Sequence, residues 1–181
     1  MLRILCVIIV LITIIGIWYF YVSPYDQIEM NGKTMYPTID DSEVVKYNTK
    51  YKWISKWDIV VMTTQYHQGK LYIKRVIWAP WDSVKIRDGK VYLRTNSNEG
   101  YVYLDEEYLD PRMRDSTYMK VTWMKEWLDD QDNIFNIPEN SYFLLGDNRR
   151  ASTDSRQCFQ YCTGRSPFIE EGNILWVVES E

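Results

Sequence analysis

One histidine, His67, is all that this chain of 181 residues offers, and its three cysteines, Cys6, Cys158 and Cys162, are scattered. With so few imidazoles and thiols, no zinc site finds its ligands, and neither a metal nor another cofactor is expected. A Ser-His-Asp triad would rest on His67 alone, in the polar stretch Thr63-Thr64-Gln65-Tyr66-His67-Gln68-Gly69-Lys70, which reads as a solvated hairpin tip. Positive charge is also short: the formal net charge is -4 and no basic stripe occurs, which argues against a nucleic-acid partner. No internal repeat or low-complexity tract interrupts the chain.

A long apolar run is present. Ile4 to Val22 are 19 consecutive residues without a charge. As a helix they would span about 28 Å, close to the ~30 Å hydrocarbon core of a bilayer. Trp18, Tyr19, Phe20 and Tyr21 cluster at the outer end, where an aromatic belt belongs, and Arg3 with the amino terminus supplies the only positive charge before the run. The N-terminus is therefore expected to stay cytoplasmic while the rest of the chain crosses the membrane. A cleaved signal peptide fits poorly, because bulky aromatics stand where a cleavage site needs small residues. Residues 1–25 are read as a short cytoplasmic N-terminus and transmembrane anchor, and residues 26–181 as an extracytoplasmic domain.

Past Tyr25 the chain reads as short strands. Glu43–Tyr47 and Asp58–Thr63 are rich in β-branched residues, and Lys70–Ile77 alternates in polarity. Asp88-Gly89 between two alternating segments, 84–87 and 90–93, predicts a hairpin. Strand character returns at Tyr101–Leu104, at Phe135–Leu145 and at Asn173–Val178. Residues 105–133, charged and rich in Met and Trp, read as an irregular insertion rather than core. Fifteen tyrosines and eight tryptophans suit a β-rich domain working near a bilayer interface. The fold class is mainly β, a sheet or barrel-like domain on one N-terminal transmembrane helix.

Three segments carry chemistry. Asn31-Gly32-Lys33-Thr34-Met35-Tyr36-Pro37-Thr38 presents a hydroxyl on a loop. Tyr72-Ile73-Lys74-Arg75-Val76 sets a lysine on an apolar strand. Gly146-Asp147-Asn148-Arg149-Arg150-Ala151-Ser152-Thr153-Asp154-Ser155-Arg156 is a polar loop able to hold both. A hydroxyl is a weak nucleophile at neutral pH and needs a base, and a lysine becomes one only when burial lowers its pKa. Arg75 falls on the opposite face of the strand from Lys74, so the two charges need not crowd each other. These are the parts of a hydroxyl/lysine hydrolase.

In this order, behind an apolar N-terminal segment, the three segments resemble the type I signal peptidase family, with its S-M-x-P-T, K-R-x-x-G-x-P-G-D and G-D-N-R-x-x-S-x-D-S-R patterns. The resemblance runs from about Asn31 to Arg156. It implies a membrane-bound endopeptidase of the plasma membrane that removes signal peptides from exported preproteins, favouring small residues one and three positions before the cut. It puts Thr34 at the position of the nucleophilic serine, with Lys74 as general base. Ser152 matches the serine that helps orient the lysine amine. Asp154 and Arg156 match an ion pair bracing the loop, and Asp147, Asn148 and Arg149 match turn-forming and supporting residues. The oxyanion would be held by the backbone N–H of Thr34, and Gly32 stands where some relatives add a second hydroxyl. Met35 and Pro37 would shape the wall of the substrate groove.

The chain departs from the family pattern in two ways. Threonine replaces serine at position 34, and its methyl restricts χ1 and crowds the line of attack. Beside the active peptidase stands a catalytically impaired, membrane-anchored relative that binds peptides, and cleavage of an Ala-x-Ala preprotein separates the two. A self-cleaving repressor with a Ser-Lys dyad would need a DNA-binding domain where this chain has its apolar run. The second departure is systematic: Trp57, Trp78, Trp81 and Trp176 stand where relatives carry glycine. Glycine serves there for turns and close backbone approach, which tryptophan is least able to provide. Either UGA codons are read as glycine at these positions in the native protein, or the tryptophans are genuine and pack as surface aromatics. Cys6 lies in the apolar run, while Cys158 and Cys162 fall where oxidation is permitted, either as a disulfide or as two free thiols.

Overall fold

The computed structural model describes residues 2–22, 24–50, 53–95, 100–119, 133–160 and 164–179. The chain starts with helix α1 (Leu2–Val22), 21 residues long. Its described side chains, from Ile4 to Ile17, are exposed. That stretch is shorter than a span, and among the described residues no helix is long and apolar enough to cross a membrane.

Among the described residues eleven strands follow: β1 (Tyr25–Glu29), β2 (Val44–Asn48), β3 (Ile59–Thr64), β4 (His67–Trp78), β5 (Ser83–Arg87), β6 (Lys90–Arg94), β7 (Val102–Tyr103), β8 (Ile134–Asn136), β9 (Ser141–Leu145), β10 (Ile169–Glu170) and β11 (Ile174–Val178). They form a seven-stranded sheet in the order β1-β2-β11-β3-β4-β9-β10 and a four-stranded sheet in the order β7-β6-β5-β8. All the pairs are antiparallel. The β5–β6 hairpin turns on Asp88 (φ 51°) and Gly89 (φ 78°), as the Asp-Gly pair predicts. A side chain at position 89 would also collide with the Asp115 backbone.

Strand β4 is central, lying between β3 and β9, and from Tyr72 to Trp78 it is buried on both faces. Such a strand suits Ile, Val and Tyr, whose shapes fit a pleated, enclosed surface. Tyr72 and Val76 share one face and pack with Val60, Met62, Leu144 and Phe159. Lys74 lies between them on that face, opposite Val60 of β3. On the other face Ile73 joins Met30, Met35, Ile39 and Val61, and Ile77 joins Phe135, Phe143 and Leu145 under the smaller sheet. Alternation along one strand thus sets Lys74 and Arg75 back to back.

Several sequence expectations need correction. The insertion is not excluded from the core: in its described part, 105–119, Glu106, Leu109, Ser116 and Thr117 are buried. An irregular backbone can be enclosed when partners satisfy its polar groups, and here Thr117 N–H donates to Gly89 O at 2.8 Å. Residues 120–132 lie outside the described part. His67 is not a solvated tip residue but opens β4, half-buried, with Nδ1 3.3 Å from the Tyr72 hydroxyl. Trp57 (φ 76°) and Trp81 (φ 72°) occupy the left-handed region that favours glycine. Trp78 and Trp176 do not share that backbone conformation; Trp78 is buried, and Trp176 stacks on Tyr47 at 4.4 Å. Cys6 is free and Cys158 is disulfide-bonded, whereas Cys162 lies outside the described residues.

Candidate active site

The three sequence segments meet at one point. The loop after β1 carries Thr34, β4 carries Lys74, and the loop after β9 carries Gly146 to Arg156. Lys74 is 1% exposed, and its Nζ donates to Thr34 Oγ1 at 2.8 Å and to Ile73 O at 2.7 Å. Burial lowers the Lys74 pKa to about 8, against the nearby charges of Asp154 and Asp147, which hold its proton on. An amine so tuned is neutral in a useful fraction of molecules near neutral pH and can accept a proton from the hydroxyl it touches. Both residues line a groove of about 260 Å³ with Ile28, Met30, Tyr72 and Thr153. A larger cavity, about 580 Å³, opens near the β3–β4 hairpin beside Thr64, Asn140 and Glu171. It holds no hydroxyl–amine pair, so size alone does not locate the chemistry.

The loop bearing Thr34 is tied to the β9 loop through the backbone. Thr34 O accepts from Asn148 N at 3.1 Å, and Lys33 O accepts from Asn148 Nδ2 at 2.9 Å. Gly146 allows the approach: a Cβ there would overlap Thr34 O and the Ser152 hydroxyl. Nothing in the local sequence singles out this glycine beyond its place at the head of the motif. Asp147 holds a second tie, accepting from Thr38 Oγ1 at 2.6 Å and from Arg75 at 2.9 and 2.6 Å. Arg75 faces away from Lys74, as the alternation predicts, and is buried with its charge paired.

Asp154 and Arg156 are wholly buried and pair through two bonds, Nε to Oδ1 at 2.9 Å and Nη2 to Oδ2 at 2.7 Å. Burial alone would push the Asp154 carboxyl up, but the Arg156 guanidinium outweighs it, and bonds from Gly146 N–H and the Ser152 hydroxyl help hold the pKa below its ordinary value. The buried Ser152 hydroxyl thus serves the carboxylate that braces the loop. Arg149, also fully buried, pairs with Glu106 and bonds to Gly146 O, Thr117 and Tyr108. Glu106 escapes a sequence reading because a lone glutamate in an irregular charged segment looks like any surface glutamate.

Two expected groove residues lie elsewhere or apart. Met35 is fully buried in the cluster with Met30, Ile39 and Val61, so its side chain anchors the Thr34 loop from behind instead of lining an open wall. An apolar residue in a loop shows in sequence only that it will be covered, not by what. Pro37 is exposed, and Gly32 donates its N–H to Asp41 Oδ1 at 2.7 Å.

The chain is similar to known peptidases over most of its length. A family model described as "Signal peptidase, peptidase S26" matches residues 1–178. The chain is similar to signal peptidase I S of Bacillus subtilis (strain 168), with 31% identity over 137 residues that cover 76% of this chain and 67% of the relative. It is also similar to signal peptidase IB of Staphylococcus aureus (strain N315), with 32% identity over 145 residues, 76% of this chain and 69% of the relative. A crystal structure of a signal peptidase I from Enterococcus faecalis V583 covers 72% of this chain and 100% of its own, at 26% identity and a TM-score of 0.49. The chain belongs to the signal peptidase family, peptidase S26.

Proposed function

We propose that this chain is a membrane-bound endopeptidase that removes signal peptides from exported preproteins, with Thr34 as nucleophile and Lys74 as general base. The observation that carries the reading is the 2.8 Å contact between Thr34 Oγ1 and a buried Lys74 amine of lowered pKa. Neutral Lys74 takes the Thr34 hydroxyl proton as the oxygen attacks the scissile carbonyl carbon. The oxyanion is received by the Thr34 backbone N–H. As the carbon–nitrogen bond breaks, the Lys74 ammonium returns the proton to the departing amine, leaving an ester on Thr34. Lys74 then deprotonates the water that hydrolyses this ester. Asp147, Asn148, Arg149, Ser152, Asp154 and Arg156 hold the geometry and carry no proton in the reaction.

The 21-residue helix α1 supports the anchoring: at about 1.5 Å per residue it is long enough for a ~30 Å hydrocarbon core. Residues 1–25 serve as the anchor in the plasma membrane, N-terminus inside, and residues 26–181 work outside it. Lipid is thus a partner as well as the preprotein. The test is cleavage of an Ala-x-Ala preprotein by wild type, Lys74→Ala, Thr34→Ala and Thr34→Ser. Wild type and Thr34→Ser are expected to cut and the two alanine variants to be inert. An inert wild type would instead mark a peptide-binding relative, and equal cutting by wild type and Thr34→Ala would mean the nucleophile lies elsewhere.

A further inference from the structure

Residues 104–119 have no regular structure beyond the end of the short strand β7, yet they reach both the core and the loop after β9. Leu104 and Tyr108 pack on the core beneath the smaller sheet, and Leu109 is buried. Glu106, 4% exposed, directs both carboxylate oxygens at Arg149: Nη1 meets Oε2 at 2.6 Å and Nη2 meets Oε1. Tyr108 completes the corner, its hydroxyl 2.6 Å from Glu106 Oε1 and 2.9 Å from Arg149 Nη2, and Thr117 Oγ1 accepts from Nη1 at 2.6 Å. All of these bonds but the one between Tyr108 and Glu106 converge on one guanidinium, which has a single remaining target in the Thr34 direction. That target is Gly146 O, accepting from Nε at 3.2 Å. Gly146 is the residue whose Cα lies against Thr34 O and the Ser152 hydroxyl, too close for any side chain. Arg149 O also accepts from Arg156 at 2.8 Å, so the second ion pair leans on the same residue.

We propose that Glu106 is a positioning residue for the reaction, fixing through Arg149 the turn at Gly146 that seats the Thr34 backbone. The inference rests on the assignment of Thr34 and Lys74 above. Arg149 cannot shed its charge, so without Glu106 a buried cation loses the carboxylate bonded to it, keeps only the more distant charge of Asp147, and drags Gly146 with it as it seeks water. Displacement of the turn moves the hydroxyl relative to the amine, and a misplacement of about 1 Å costs up to ~100-fold in rate. Most of the groove wall, on β1 and β4, is not held by this corner, so substrate affinity is expected to change little. The charge of Glu106 is not among those acting on Lys74, whose neighbours in this respect are Asp154, Asp147 and Lys70.

The experiment compares the full chain in detergent as wild type, Glu106→Gln, Tyr108→Phe and Lys74→Ala, measuring preprotein cleavage against substrate concentration and pH, with a thermal melt of each. Expected for Glu106→Gln is a fall in kcat of about 10- to 100-fold with KM within about twofold and the acid limb of the pH profile unmoved. Tyr108→Phe should show the same pattern at about threefold. Wild-type kcat in Glu106→Gln, a loss that only tracks the unfolded fraction, or a displaced acid limb would each overturn the positioning role. If Glu106→Gln does not fold, Tyr108→Phe decides, and wild-type kcat there overturns the proposal. An inert wild type or an active Lys74→Ala overturns the dyad, and this inference with it, in a way no result on Glu106 can mimic.

Discussion

Arg149 and Arg156 are buried as deeply as Lys74, Arg75 nearly so, and all stand around the same site, but their surroundings differ in kind. Each guanidinium meets a carboxylate in two-pronged fashion: Asp147 for Arg75, Glu106 for Arg149, Asp154 for Arg156. Lys74 meets a hydroxyl and a carbonyl, and among the described residues no carboxylate lies within ion-pair distance of its amine. An arginine keeps its proton under any folding condition, so burial obliges the chain to supply a partner. A lysine can give its proton up, and burial without a paired carboxylate is what makes it do so. The arginines fix the loop, and the lysine is left free to titrate. Framework and chemistry are separated by which buried cation has a counter-ion.

Removing the unpaired cation should have the largest effect on activity and the opposite effect on stability. Lys74→Met is expected to lower cleavage about 10³-fold or more, since the base is gone. The same change should stabilise the fold by about 2 kcal/mol at pH 7, because the desolvated amine and its lowered pKa act against folding. The sign follows from proton counts. Below about pH 8 the amine is charged in both states and its burial is at full cost; between about 8 and its ordinary value the unfolded chain holds the proton more tightly, so raising the pH relieves that cost. The stability gained by Lys74→Met should therefore shrink in alkaline buffer. Denaturant titrations at two pH values measure it, and a destabilised variant would mean the lysine is held by more than its two hydrogen bonds.

Breaking a paired cation should do the reverse. Asp154→Asn leaves Arg156 buried without its counter-charge and is expected to lose about 3–5 kcal/mol of stability. Asp154 also favours the charged form of Lys74, so in whatever fraction folds the acid limb of the activity profile should move to lower pH. A loss below about 1 kcal/mol would show that water replaces the carboxylate, and the contrast between the two kinds of cation would fall.

The wild-type pH profile tests the comparison with no mutation at all. Cleavage should rise with pH through about 8, falling by about tenfold per unit well below it, because only the neutral amine accepts the proton. A profile flat between pH 6 and 9 would take the role of base away from Lys74.

Much of this arrangement was legible in the chain, and what was not has a physical cause. Thr34, Lys74 and the loop from Asp147 to Arg156 lie in three contiguous strings, so their identity needed no long-range geometry. Asp154 and Arg156 are two residues apart and pair locally. The two-residue period of β4 also gave the opposed faces of Lys74 and Arg75. The partners Arg75–Asp147 and Arg149–Glu106 are 72 and 43 residues apart in sequence, and no periodicity announces a contact made across irregular loops. Met35 shows the same limit for apolar contacts. Strand β1 is not legible because Tyr-Asp-Gln-Ile-Glu lacks a clear alternation, and with only Ile28 half-buried none is required.

The smallest expected effect concerns the backbone that completes the Arg75 pair. Besides Asp147, Arg75 donates to Trp57 O at 2.8 Å, so the left-handed residue at position 57 supplies the third bond to a framework cation. Glycine can adopt that φ without strain, whereas a bulky side chain there costs about 1 kcal/mol. Trp57 recovers part of this by packing near Trp78 and Tyr108, at ring distances of 6.1 and 5.7 Å. Trp81 has the same backbone conformation but is 60% exposed, with little packing to lose. Trp81→Gly should therefore stabilise the protein by about 1 kcal/mol, and Trp57→Gly by less, with the Arg75 bond retained in both. Thermal melts of the two variants check the ranking, and a destabilised Trp81→Gly would mean that its ring is covered by something outside the chain. The strain also sharpens the expectation that UGA is read as glycine. Peptide mass spectrometry of the protein from its own cells should find glycine at 57 and 81, and tryptophan at both would end the recoding idea and leave two strained turns in the fold.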